Sequence, residues 1–167
     1  NGDILISEGH SGQGENPPPG TVGRISIFSK DGKFVRSFGK LGSGAGEFRT
    51  PHSLALDSRG RLFVADVGWN DFEEIDSASD PGDNFGWPCW EGPNVQSSYA
   101  NPDGWGYCTN PAIFKKPLWT FHHSNPNYSG FTSQCVTGMH VYEGTEYPSK
   151  YVGRLFFSEY ASDWFRT

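Results

Sequence analysis

Residues 49–92, RTPHSLALDSRGRLFVADVGWNDFEEIDSASDPGDNFGWPCWEG, decide how the rest of the chain is read. Leu54 and Leu56, then Leu62 to Ala65, form two short apolar runs. Asp57-Ser58-Arg59-Gly60 separates them and reads as a tight turn with glycine at a positive-φ position. By periodicity alone this is an ordinary hairpin. The second run ends at Asp66 and passes into Val67-Gly68-Trp69-Asn70, and such a strand end is where a β scaffold presents a functional loop.

Working outward, the hairpin is one copy of a repeat. Gly2-Asp-Ile-Leu-Ile-Ser-Glu8, Gly60-Arg-Leu-Phe-Val-Ala-Asp66 and Gly153-Arg-Leu-Phe-Phe-Ser-Glu159 share one pattern. A turn glycine is followed by a polar residue, three apolar residues, a small residue and a carboxylate. The copies begin 58 and then 93 residues apart, and a propeller blade takes about 40–50 residues, so both intervals hold insertions. The spacing predicts an all-β chain of about two and a half four-stranded blades. Blade one takes strands at 4–8, 24–29 and 33–38. Gly39 to Gly46 reads as a flexible connection. Blade two takes 53–57, 61–65 and 72–76, with an outer strand at 118–122. Blade three takes 136–142, 154–159 and 164–166. Residues 77–117 are a long polar insertion, of the kind that is usually functional or stapled.

Composition agrees. Charged residues make up 19% of 167, with 22 glycines and 12 prolines, which favours short strands and turns over helices. The net charge of −6 argues against a nucleic-acid backbone as partner. No apolar run is long enough to span a membrane as a helix. The chain opens in mid-pattern at Asn1 and reads as a mature product or a fragment. The three cysteines form no C-x-x-C pair, so a structural zinc site is not expected. Cys89 and Cys108 enclose a loop rich in Gly, Pro, Asn and Ser, which gains most from a disulfide; Cys135 is left over. Asn127-Tyr128-Ser129 is a glycosylation sequon. An extracellular or periplasmic location follows from the disulfide expectation. There is no nucleophile elbow, Walker loop or dinucleotide fingerprint.

DVGWNDFEEID followed by DNFGWPCWEG resembles the soluble glucose/sorbosone dehydrogenases, quinoprotein six-bladed propellers. Arg49-Thr50-Pro51 stands where that family has Arg-Asn-Pro, and the likeness runs on through PLWTFHHS, VTGMHVYEG and GRLFFSEY. The family also places a cysteine after Gly-Trp-Pro, as Cys89 stands here. The first third is similar instead to NHL-repeat propellers, most of all to peptidyl-hydroxyglycine amidating lyases, through GDILISEGH, GRISIFSKDGKFVRSFGKLGSGAGEF and PHSLALDSRGRLFVAD. Two regions result: an NHL-like blade at 1–48, and dehydrogenase-like blades at 49–167.

The dehydrogenase resemblance implies pyrroloquinoline quinone (PQQ) and Ca²⁺ as cofactors and an aldose or related sugar as substrate. It places the quinone against Arg49, Thr50, Gly68 and Trp69, and the Ca²⁺ on the Gly68 and Trp69 carbonyls. Calcium takes carbonyl oxygens readily, and a guanidinium fork suits cofactor carboxylates. Thr50 replaces the family's Asn, and Trp69 is bulky for a close approach. The family's proton-accepting His and a later Arg pair have no match here, so the chain alone is expected to be inactive, its ring completed by a second chain or further segment. The lyase resemblance makes His52 a zinc ligand, with His10 standing where that branch has its catalytic Tyr. A non-catalytic NHL-type binding scaffold is the third reading. Asp71, Glu73, Glu74, Asp76, Asp80 and Asp83 do not have calcium-loop spacing and read as a solvated acidic face. The insertion aromatics suit either sugar stacking or packing on the blade.

Overall fold

The computed structural model describes residues 2–9, 18–42, 47–48, 51–80, 83–87, 89–96 and 114–167. Blade one is an antiparallel sheet of β1 (Ile4–Glu8), β2 (Arg24–Phe28) and β3 (Phe34–Phe38). A two-residue parallel ladder follows, β4 (Lys40–Leu41) with β5 (Glu47–Phe48), where the sequence suggests only a flexible connection. Blade two contains β6 (Ser53–Leu56), β7 (Leu62–Asp66) and β8 (Phe72–Ala78). A small hairpin, β9 (Trp90–Glu91) and β10 (Asn94–Val95), lies in the insertion. Blade two is then completed by β11 (Trp119–His122), in the order β11-β8-β7-β6. Blade three comprises β12 (Val136–Val141), β13 (Leu155–Glu159) and β14 (Phe165–Arg166). Sheets of three, four and three strands amount to two and a half four-stranded blades, with boundaries within two residues of those expected.

The turn chemistry explains the repeat. Gly2, Gly60 and Gly153 have φ of +79°, +82° and +76°, a region that side chains with a Cβ adopt poorly. In blade two the Asp57 carboxylate binds the turn. Its Oδ1 accepts from the amides of Arg59 (3.0 Å) and Arg61 (2.8 Å), and its Oδ2 pairs with the Arg61 guanidinium at 2.7 Å. The Ser58 amide donates to Glu143 Oε1 at 2.7 Å, tying this turn to blade three.

Period-two alternation decides what is buried. Ala55, Phe63, Ala65, Ile75 and Phe121 line one face of blade two and pack on Val136, Val141, Leu155 and Phe157 of blade three. Phe121 stacks on Phe131 and Phe157 at 5.0 and 5.5 Å. Each large side chain buried here contributes roughly 1.5–3 kcal/mol. On the other side of blade two lies blade one, whose Ser7 hydroxyl donates to the His52 carbonyl at 3.1 Å. Among the described residues no helix is long and apolar enough to cross a membrane.

Candidate functional site

Each repeat copy ends in a carboxylate, and the three meet different surroundings. Glu8 is bound by the Arg24 guanidinium at 2.8 Å and by the Ser26 hydroxyl. Glu159 accepts from the amides of Gln134 and Cys135, both at 2.8 Å, and of Ser162. Asp66, at the end of β7, instead faces other acids. It registers opposite Glu74, and Asp76 lies two residues further along the same face of β8. Oxygens of Asp66, Glu74 and Asp76 lie within 4.8 Å of one another.

The cluster is buried. Glu73, Glu74 and Asp76 are 0%, 5% and 1% exposed, which overturns the expectation of a solvated acidic face for these three. Asp71 and Asp80 are exposed as expected, and Asp83 pairs with Lys115 at 2.7 Å. The physical reason is the insertion, whose hairpin folds over this face of β8, with the Gly92 amide donating to Glu74 Oε1. Asp76 Oδ1 is buried without a hydrogen-bond partner, and such an oxygen costs free energy unless something else satisfies it. Burial, reinforced by Glu73 and Glu91, pushes Asp66 up to about 6. Glu74 and Asp76 are raised well above the usual carboxylate range, by burial first and by the neighbouring acids second.

The 68–72 loop at the cluster's edge is organised by two further carboxylates. Glu91, on the insertion hairpin, accepts at Oε1 from the amides of Trp69, Asn70, Asp71 and Phe72 at 2.8–3.0 Å. Its Oε2 accepts from Gln96 at 2.6 Å. Glu73, on the opposite face of β8, accepts from the Gly68 amide at 3.2 Å and the Val136 amide at 2.8 Å. Its Oε1 also lies 2.9 Å from His123 Nε2, while His123 Nδ1 is 2.9 Å from the Asn70 carbonyl. Gly68 is glycine because its Cα runs against the backbone: an added Cβ would stand 1.6 Å from the Phe72 carbonyl oxygen.

The residues singled out from sequence divide as follows. Gly68 and Trp69 border the acidic centre, but their amides are bound by Glu73 and Glu91. Trp69 is 51% exposed and packs edge-on against Trp87 at 6.1 Å. Arg49, Thr50, His10 and Cys108 lie outside the described residues. Cys89 is disulfide-bonded and Cys135 is a free thiol. His52 belongs to no described metal-ligand cluster. His122 caps a turn through Nδ1 and stacks on Tyr128 at 5.2 Å, and His140 is exposed on blade three. Asp66 and Glu91 are not among the residues singled out from sequence, though the carboxylate that recurs at the end of each repeat copy marks Asp66.

Calcium fits the acidic centre, because hard carboxylate oxygens are its preferred donors. Zinc fits less well, since the cluster has no nitrogen or sulfur ligand. Pyrroloquinoline quinone, a polycarboxylate anion, does not fit the described part of the site. The loop's amide donors already serve Glu73 and Glu91, and buried acids surround it.

Comparison with known proteins agrees with the architecture. Residues 21–72 match the family model described as a 6-bladed beta-propeller. The chain is 33% identical over 105 residues to NHL repeat-containing protein 3 of Homo sapiens, covering 62% of this chain and 27% of that protein. It is 36% identical over 104 residues to the HIPL1 protein of Arabidopsis thaliana, covering 60% of this chain and 14% of that protein. Among solved structures, the PQQ-bound aldose sugar dehydrogenase of Streptomyces coelicolor aligns with 94% of this chain and 38% of its own, at 19% identity and a TM-score of 0.46. The matches to the two curated relatives span about a quarter or less of their length. The chain is thus an all-β protein with NHL-repeat relatives, carrying part of a six-bladed β-propeller domain.

Proposed function

We propose that this chain is a calcium-binding segment of a six-bladed propeller, with Asp66, Glu74 and Asp76 as protein ligands. The observation that carries the reading is the buried, unpartnered Asp76 Oδ1 within a group of three acids. A divalent cation neutralises the like charges and supplies the missing partner. It also holds the insertion onto blade two, since Glu74 and Gly92 meet at that seam. Calcium titration followed by calorimetry is the test. Saturable binding to the chelator-treated chain is expected, weakened at least tenfold by Asp76→Asn. Unchanged binding in that variant would refute the assignment.

Sugar oxidation is the finer reading that the dehydrogenase resemblance implies, and it rests on Arg49 and Thr50 with a base still unassigned. Proton removal needs a positioned base, and the family's proton-accepting His has no match in this sequence. The expected result is that purified chain, given Ca²⁺, quinone and an aldose, reduces no dye. Turnover that requires both additions and vanishes in Arg49→Ala would overturn this. A calcium-stabilised binding scaffold then describes the segment. The exposed Trp69 indole suits a small sugar, and the Cys89 disulfide supports an extracellular or periplasmic location.

A further inference from the structure

We propose that Asn127 is an N-glycosylation site, its carboxamide taking an oligosaccharide from a lipid pyrophosphate donor in a eukaryotic secretory compartment. Asn127-Tyr128-Ser129 is the only Asn-x-Ser/Thr tripeptide in the 167 residues. Its middle residue is not a proline, which would block it.

The fold offers this tripeptide to solvent. Register places His122 of β11 opposite Phe72, and the chain then turns through a short 3-10 helix, Pro126–Tyr128. Asn125 Oδ1 accepts from the Asn127 amide at 3.1 Å, and the Pro126 carbonyl accepts from the Gly130 amide at 2.6 Å. Tyr128 fixes which way the turn faces. Its ring stacks on His122 at 5.2 Å and meets Phe72 edge-on at 4.9 Å. Asn127, the residue before it, is exposed, and among the described residues its carboxamide makes no hydrogen bond. A side chain added at Gly130 would meet nothing within 4 Å, so the space beside the turn is open. A glycan is bulky and needs such a surface position.

In the transfer, Asn127 Nδ2 attacks the anomeric carbon of the donor. The C–N bond forms as the bond from that carbon to the pyrophosphate oxygen breaks. Nδ2 gives up one proton, and the lipid pyrophosphate leaves with the bonding pair. The Ser129 hydroxyl is the other group that the tripeptide must present. In the fold it donates to the Phe131 carbonyl at 2.8 Å, so transfer falls on the entering chain, before this turn closes. Exposure of Asn127 then lets the closed blade carry what was added. The disulfide at Cys89 belongs to the same oxidising compartment, and it is independent of the tripeptide.

Secretion of the full chain from a eukaryotic cell line tests the site, with mass read on secreted and cell-retained chain alike. The wild-type chain should be heavier than 18.5 kDa and return to that mass with peptide N-glycosidase. Release in heavy-oxygen water should leave a labelled aspartate at position 127 alone. Asn127→Gln and Ser129→Ala should both stay at the bare mass, while Ser129→Thr keeps the glycan. Glycosylated and glycosidase-treated chain should share one β circular dichroism spectrum. A wild-type chain at the bare mass would overturn the inference, as would a glycan that Asn127→Gln does not remove. Retention of the glycosylated form in cells that secrete Asn127→Gln would overturn it too, since the folded turn would then have no room for the glycan.

Discussion

Replacing Glu91 by alanine is expected to destabilise the chain by roughly 3–5 kcal/mol. The carboxylate is 3% exposed and accepts from four consecutive amides and the Gln96 side chain. Burial on its own would raise its pKa. The amides of Asp71, Phe72 and Asn70 outweigh burial and hold it below the usual carboxylate range. Alanine leaves those donors without an acceptor, at about 1–3 kcal/mol for each that stays dry. Trp69, Asn70 and Asp71 reach solvent, so water recovers part of the loss, and the total falls short of the full sum. Glu91→Gln keeps an acceptor oxygen and should cost about half as much. Urea unfolding measures both. A loss under about 1 kcal/mol in the alanine variant would mean that the loop is held by its own strand ends and not by the insertion.

How far the sequence reveals this arrangement depends on the range of the interactions involved. The repeat blades are local: a turn glycine, an alternating run and a terminal carboxylate lie within seven residues, and the sheets form where that pattern says. The outer strand β11 is legible too, because Trp119–His122 alternates, and it pairs with β8 at the edge of blade two. The acidic centre is not local. Phe72, Glu74 and Asp76 share one face of β8, and a charged alternation of that kind ordinarily faces water. Only the hairpin at 90–95, folding back to place Gly92 on Glu74 and Glu91 under the loop, makes it an interior. No periodicity in β8 announces a cover that arrives some twenty residues later. The β4–β5 ladder escapes for a similar reason, since two residues on each side are too few to show a period.

Chelator-treated chain is expected to be most stable near pH 5 and to lose on the order of 2–4 kcal/mol by about pH 8. Asp66 is raised from 3.8 to about 6, and Glu74 and Asp76 are raised well above their usual range, burial being the first cause for all three. A raised carboxyl pKa means that the fold retains a proton the unfolded chain has already released. Between the unfolded values near 4 and the raised folded ones, about 6 for Asp66, the native state binds more protons, so stability falls as pH rises. Lys115 lowers Asp76 only as the last and smallest of its influences, so it does not reverse the sign. At the acid end the slope changes. Glu8, Asp57, Glu91 and Glu159 are lowered, and the stability they contribute is present above their unfolded values and lost as pH falls through their folded ones. Calcium should invert the upper limb. It binds the ionised acids, and at a hundred times its dissociation constant it adds about 2.7 kcal/mol. The melting temperature with calcium should therefore hold or rise between pH 5.5 and 8, while that of the chelated chain drops. The Asp76→Asn variant removes one of the charges in conflict, so its chelated form should lose less across the same range and gain less from calcium. A chelated wild-type chain more stable at pH 8 than at pH 5.5 would mean that the acids at 66, 74 and 76 are solvated in solution, and the calcium centre would fall with them.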